Sequence, residues 1–244
     1  MNDASVGFQC PSCIAEGAKT IRQPKTLAGG AVSARAGMVS MVLIGLNVAA
    51  YVVQVATGDG SSDVFQEGAL QGYAVADGDY WRLVTSAFLH GSVLHLLFNM
   101  YALYLFGPFV ERALGTGRFI AAYLTTAVAG SVAAYVLTDP LVATIGASGA
   151  VFGLFGLALI LLLRAKQDVR TLLVLLAINA FISVAGSNIS WQGHLGGFVG
   201  GVILGAAFAY APRDRKTVVQ ALVFAGLWVV MVAAIVLRTL DLTS

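Results

Sequence analysis

Residues 146–164 read Gly-Ala-Ser-Gly-Ala-Val-Phe-Gly-Leu-Phe-Gly-Leu-Ala-Leu-Ile-Leu-Leu-Leu-Arg. From Ser148 to Leu163 no residue is charged, and Arg164 closes the run. A bilayer-crossing helix needs about 20 apolar residues, within roughly 17–25, so this stretch is short for one. The rest of the chain settles its meaning. Of 244 residues, 58% are hydrophobic and only 11% are charged, and the mean hydropathy is +0.84. A soluble domain has about 25% charged residues and about 45–50% apolar ones. That excludes a water-soluble enzyme. High hydrophobicity with low charge excludes disorder. The net charge of +2 is too weak to suggest a nucleic-acid partner. Glycine stands at 28 residues, against roughly 17 expected from average usage, an excess that suits closely packed membrane helices.

Working outward, the charge-poor segments place seven spans: 37–57, 92–109, 119–137, 148–163, 171–186, 194–211 and 218–237. The first is not a cleavable signal peptide, because it starts too late and exceeds the roughly 7–15 apolar residues of a signal core. Its basic flank, Lys19, Lys25 and Arg35, places the amino terminus in the cytoplasm. Seven spans then fix every loop. Lys19, Arg22, Lys25, Arg35, Arg112, Arg118, Arg164, Lys166, Arg170, Arg213, Arg215 and Lys216 fall inside, and only Arg82 and Arg238 outside. This puts 12 of the 14 basic residues on the cytoplasmic side, as the positive-inside rule requires. A missed span would invert the later loops and spoil the count. The outer segment 58–91 is long for a loop without function. It carries Asp59, Asp63, Glu67, Asp77 and Asp79, then turns apolar, with Trp81, Phe88 and Leu89 suited to the membrane interface.

Polar residues inside a span are costly and point to function. All three histidines sit at such places. In His90-Gly-Ser-Val-Leu-His95-Leu-Leu-Phe-Asn99, His95 and Asn99 are four apart and share a helix face. By themselves they read as interhelical hydrogen-bond partners. Ser148 has glycine at Gly146 and Gly149. It lies 16 residues, about 24 Å of helix, from Arg164. It therefore starts a helix several Å below the outer face, or simply caps one. His194 lies 19 residues, about 28 Å, from Arg213, at a similar depth. Gly193, Gly197, Gly201 and Gly205 recur every four residues beside it. This smooth stripe lets another helix lie close and can bring His194 to a serine on that neighbour. Together these residues fit an acyl-transfer site. In such a site Ser148 would be the nucleophile and His194 its base; His95, Asn99 and the Ser148 amide would be the oxyanion donors. No acidic residue shares this level, so the arrangement is a dyad. Phe152, one turn after Ser148, is placed to stack on the imidazole.

With these residues in view, the sequence resembles the rhomboid intramembrane serine proteases over about residues 37–240. The resemblance is carried by Trp81-Arg82, by His90, His95 and Asn99, and by Gly146-Ala-Ser148-Gly149. It continues in Gly193-His194 with Gly197 and Gly201, and in Glu111-Arg112 with Gly115. It implies an all-α polytopic membrane protein, a rhomboid-like six-helix bundle plus one C-terminal transmembrane helix. It implies Ser148 and His194 as catalytic residues, and His95, Asn99 and Ser148 as the oxyanion hole. His90 would be a structural partner, the Trp81-Arg82 loop a brace, and Glu111 an anchor for the end of the second span. Some members carry Glu-x-Arg where this chain has Glu111-Arg112-Ala113, and some have tyrosine at the position of Phe152. The implied substrates are single-span membrane proteins cut in or near their transmembrane segment. No metal and no cofactor are implied. The setting is the cell membrane, with the active site opening to the extracytoplasmic side, and a homo-oligomer is compatible with it. The alternatives are an inactive rhomboid-like scaffold, or a transporter or channel relaying protons through its histidines, although no paired repeat is visible.

Residues 1–36 form a cytoplasmic tail holding Cys10-Pro-Ser-Cys13. This is half of a zinc-ribbon-like set, and structural zinc needs four ligands. The chain has no further cysteine, so a metal-free tail is expected unless two tails share zinc in a dimer. The tail resembles the last part of a zinc-binding module that precedes the protease in some bacterial members, as a remnant or as the end of one that starts upstream.

Overall fold

The computed structural model describes residues 2–3, 8–20, 25–30, 36–185 and 189–244. Arg22 and Arg35 of the basic flank, and Gly186 at the end of the fifth span, lie outside the described residues. The helices are α1 (Pro11–Thr20), α2 (Met38–Ala56), α3 (Asp63–Gly68), α4 (Gly72–Ala76), α5 (Arg82–Thr85), α6 (Val93–Leu114), α7 (Thr116–Leu137), α8 (Ser148–Arg164), α9 (Arg170–Ala185), α10 (Trp191–Tyr210) and α11 (Lys216–Thr243). Strand pairing among the described residues is confined to a two-residue ladder in the tail, Asn2 with Gln9 and Asp3 with Phe8, and one bridge, Leu70 with Thr144. The protein is an all-α polytopic membrane protein, with seven apolar helices among the described residues.

Five of these helices, α2, α6, α7, α10 and α11, are long and apolar enough to cross a bilayer. The other two, α8 and α9, have 17 and 16 residues. At 1.5 Å per residue α8 is about 26 Å long, short of the roughly 30 Å hydrocarbon core. Small residues line the closest contacts among α7, α8 and α10, at Gly130, Gly149, Gly153, Gly197 and Gly201, with Phe119, Leu154, Leu157 and Phe208 buried around them, whereas large side chains such as Val229, Leu237 and Leu222 of α11 and Val52 of α2 face outward. That is the pattern of a bundle whose solvent is lipid, where close backbone approach replaces the hydrophobic effect between helices.

Several helix ends differ from the apolar boundaries in the sequence. Helix α6 runs to Leu114, through Pro108, rather than stopping at Phe109. Its polar end stays ordered because Glu111, only 1% exposed, is partnered. Glu111 Oε2 accepts from the Ser40 amide and hydroxyl of α2, and Oε1 accepts from the Thr116 hydroxyl of α7. One carboxylate thus ties three helices. Gly115, at φ +84° and ψ 153°, makes the sharp link from α6 to α7. Arg112 stays on its own helix, donating to the Pro108 carbonyl. Helix α10 starts three residues before His194, at Trp191, because the Ser190 hydroxyl accepts from the Gly193 amide and caps it.

The long segment between α2 and α6 is a packed substructure. It holds α3, α4 and α5 and two 3-10 turns, Asp59–Ser61 and Ser86–Phe88. Arg82 is its hub and is buried. Its Nη1 donates to the Gln66 and Ala69 carbonyls at 2.6 and 2.9 Å, and its Nε to Asp79 Oδ2 at 2.9 Å. A buried guanidinium is tolerated only when its donors are met in this way. Trp81 Nε1 donates to the Glu67 carbonyl, and the Thr85 hydroxyl to that of Gly68. This substructure then fixes the backbone entering α8. Leu70 and Thr144 exchange both amide bonds, and the Gly146 amide donates to the Ser86 carbonyl at 2.9 Å. The loop therefore sets where Ser148 sits.

Candidate active site

Ser148 is the first residue of α8 and not its cap, a place taken by Ala147. The residue two before it, Gly146, has φ +128°, a conformation that side-chain-bearing residues rarely adopt. A methyl group there would also meet His95, 2.7 Å from Cε1 and 2.8 Å from Nε2, with Ser148 Oγ 3.7 Å from the same point. The absent side chain of Gly146 thus leaves the room that the imidazole of α6 occupies near the hydroxyl of α8.

His194 comes from the first turn of α10, which packs on α8 through its glycine stripe. A methyl on Gly197 would overlap the Gly149 carbonyl, and one on Gly201 the Gly153 carbonyl. At that approach the His194 ring stacks flat on Phe152, with centroids 4.1 Å apart and planes 9° from parallel. Phe152 is one turn after Ser148 on α8, so the stack carries His194 to the face that bears Ser148. No hydrogen bond joins Ser148 Oγ to His194 among the described residues. Catalytic hydrogen bonds are often long in free enzymes and tighten with substrate.

The three remaining polar residues form one layer. Ser92 caps α6 by accepting from the His95 amide. His95 Nδ1 accepts from the Gly91 amide at 3.4 Å. That places its ring proton on Nε2, the nitrogen turned toward Gly146, because only one nitrogen of a neutral imidazole carries hydrogen. Asn99 is buried and donates one amide hydrogen to the His95 carbonyl at 3.1 Å; its second amide hydrogen has no partner among the described residues. The His90 ring is fully buried between Tyr51 and His95, edge-on to both, at 6.4 and 5.0 Å. Its ring nitrogens have no partner among the described residues, so it packs as an aromatic spacer behind His95.

Two contributors were not singled out from the sequence. Gln54 of α2 is buried and makes a two-way amide pair with the His90 backbone: Nε2 donates to the carbonyl at 2.9 Å, and Oε1 accepts from the amide at 3.2 Å. A glutamine in an apolar span was the available signal. The other is Ser183 of α9, whose hydroxyl oxygen lies 2.6 Å from His194 Nδ1.

No cluster of three or more histidine, cysteine or carboxylate side chains occurs among the described residues. In the tail, the Cys10 and Cys13 thiols are hydrogen-bonded to each other. The Cys13 thiol, then the Ser12 hydroxyl and the Cys13 amide, stabilise the Cys10 thiolate and pull it down to about 7; Cys13 is correspondingly raised.

The sequence was compared with known proteins. A family model described as the rhomboid domain matches residues 77–211, a range that holds Ser148, His194, His90, His95, Asn99, Phe152 and Ser183. YdcA of Bacillus subtilis (strain 168), which carries a rhomboid-protease name, is 40% identical over 136 residues, 53% of this chain and 68% of YdcA. Rhomboid protease GluP of the same organism is 40% identical over 145 residues, 57% of this chain but only 28% of GluP. RHOMBOID-like protein 5 of Arabidopsis thaliana is 32% identical over 155 residues, 60% of this chain and 50% of that protein.

Proposed function

This chain belongs to the rhomboid family, and on that premise we propose that it is an active intramembrane serine endopeptidase acting through a Ser148–His194 dyad. The observation that carries this reading is the Phe152–His194 stack. It holds the imidazole on the face of α8 that begins with Ser148, while Gly146 opens the same point to His95.

In this reading Ser148 Oγ attacks the scissile carbonyl carbon and gives its proton to His194 Nε2. The carbonyl oxygen becomes an oxyanion, met by the Ser148 amide, His95 Nε2–H and the unpaired amide hydrogen of Asn99. Donors fixed in place before reaction and shielded from water stabilise such charge strongly. The intermediate collapses as His194 returns the proton to the leaving amine, which leaves Ser148 acylated. Water then gives a proton to His194 and attacks the ester carbonyl; the ester C–O bond breaks as His194 returns that proton to Ser148 Oγ, which releases the new carboxyl end. A membrane helix hides its peptide bonds, so substrates are single-span proteins whose target segment unwinds readily, with small residues and poor helix formers near the cut. The 12-to-2 distribution of basic residues supports a cytoplasmic amino terminus, with Ser148 opening toward the extracytoplasmic side of the cell membrane. The domain division follows: a tail at 1–36 and a protease domain at 37–240.

The test is cleavage of a single-span substrate by the purified protein in proteoliposomes, beside Ser148→Ala and His194→Ala. Cleavage by the unsubstituted protein alone is expected. Equal cleavage by Ser148→Ala would end the serine mechanism. Absence of cleavage in all three would favour the scaffold reading.

A further inference from the structure

The dyad reading leaves one question open, on which it depends. A neutral imidazole serves as a base toward Ser148 only if its proton sits on Nδ1 and its lone pair on Nε2. In triads a carboxylate imposes that tautomer. Among the described residues no carboxylate bonds to His194, and stacking on Phe152 fixes the ring plane without choosing between the nitrogens.

Ser183 on α9 supplies the missing constraint. Its hydroxyl is buried, 4% exposed, and makes two short contacts, 2.6 Å to the Asn179 carbonyl and 2.6 Å to His194 Nδ1. A hydroxyl has one hydrogen to donate. The Asn179 carbonyl can only accept, so the Ser183 hydrogen goes to it, in the back-bond to residue i−4 common for helical serine. The Ser183 oxygen is then an acceptor toward the imidazole, and Nδ1 must be the donor. The opposite tautomer would leave the Asn179 contact without a hydrogen. The geometry points to Ser183 as a positioning residue that fixes His194 in the Nδ1–H form and leaves the Nε2 lone pair for Ser148. His95 carries the complementary arrangement: Gly91 N–H faces its Nδ1, so its proton lies on Nε2, as an oxyanion donor requires. The two histidines of the site hold opposite tautomers, each set by a neighbour that is not titratable. Ser183 touches neither substrate nor scissile bond, so it acts only through His194.

This inference rests on the dyad reading for its meaning but not for its test. Ring-nitrogen NMR of protein labelled with 15N-histidine, assigned with a His194→Gln variant, reports the tautomer without any turnover. The expected result above neutral pH is protonated Nδ1 and bare Nε2 at His194, replaced by a mixture in Ser183→Ala. In proteoliposomes, kcat of Ser183→Ala should fall about three- to tenfold, the worth of one neutral hydrogen bond, with KM unchanged. An Nε2–H tautomer in the unsubstituted protein overturns the proposal, as does a tautomer insensitive to Ser183→Ala or an effect on KM alone. If the unsubstituted protein cleaves nothing, the dyad reading fails, and the NMR result still decides whether Ser183 sets the tautomer.

Discussion

Replacing Gly197 by alanine puts the helix-packing part of the account under the heaviest load. A methyl at that position would lie 2.7 Å from the Gly149 carbonyl carbon and 3.1 Å from its Cα, and closer still to the carbonyl oxygen. Non-bonded carbons rest at about 3.5–4.0 Å, so the shortfall is about 1 Å. Both sides of the contact are helix backbone, and no side chain can swing away, so α8 and α10 must part by that amount. Gly149 follows Ser148, and Gly197 is one turn from His194, so the displacement falls on the proposed dyad. Overpacking of this kind costs about 1–3 kcal/mol of stability. A 1 Å error in placing catalytic groups costs about 10²-fold in rate. The assay is substrate cleavage in proteoliposomes, with thermal unfolding in detergent read alongside. Gly226→Ala in α11 is the control, since nothing lies within 4 Å of its added methyl. Gly197→Ala should lose about two orders of magnitude in rate and remain folded. A rate within twofold of the Gly226→Ala control would refute the claim that close approach at Gly197 places the base.

Three further outcomes are expected. Phe152→Ala removes the stack on His194, and Phe152→Tyr keeps it; the first should lose about two- to tenfold in kcat, given about 0.5–1.5 kcal/mol for the aromatic pair, and the second should stay near the parent, read by initial cleavage rates. Asn99→Ala should keep the fold and lose up to about 10²–10³ in kcat if its unpaired amide hydrogen meets the oxyanion; an unchanged kcat removes it from the hole. In the tail, Cys10 should alkylate with a midpoint at about pH 7. Its pKa is lowered, so the reactive thiolate is present above that midpoint and lost below it. Cys13→Ala, which removes the side-chain donor, should move the midpoint toward that of an ordinary thiol, followed by iodoacetamide labelling and mass spectrometry.

The sequence is most legible where one helix carries the information. Seven charge-poor runs became seven apolar helices. The four-residue glycine spacing became the α8–α10 contact, and the Ser148-to-Phe152 spacing became a stack on His194. It was weaker at helix ends, because hydropathy marks where apolar residues stop and not where backbone hydrogen bonds stop. The Glu111 carboxylate carries α6 to Leu114, and the Ser190 cap starts α10 at Trp191. The outer segment read as a loop because its short helices are held by Arg82 and Trp81 bonding to carbonyls distant in sequence. Contacts such as Ser183 with His194, or Gln54 with the His90 backbone, were not legible. They depend on how one helix is rotated against another, and a serine near the end of an apolar run shows nothing of that.

The central claim, that Ser148 is a nucleophile activated by His194, is tested most directly by covalent capture. The purified protein in detergent would be treated with a fluorophosphonate and the modified peptide located by mass spectrometry, beside His194→Ala. The account expects a single adduct, on Ser148, whose rate of formation falls by at least a hundredfold in His194→Ala, at the low end of general-base contributions of about 10²–10⁴. An adduct that forms equally fast without His194, or that maps to another serine while Ser148 stays unmodified, would contradict it.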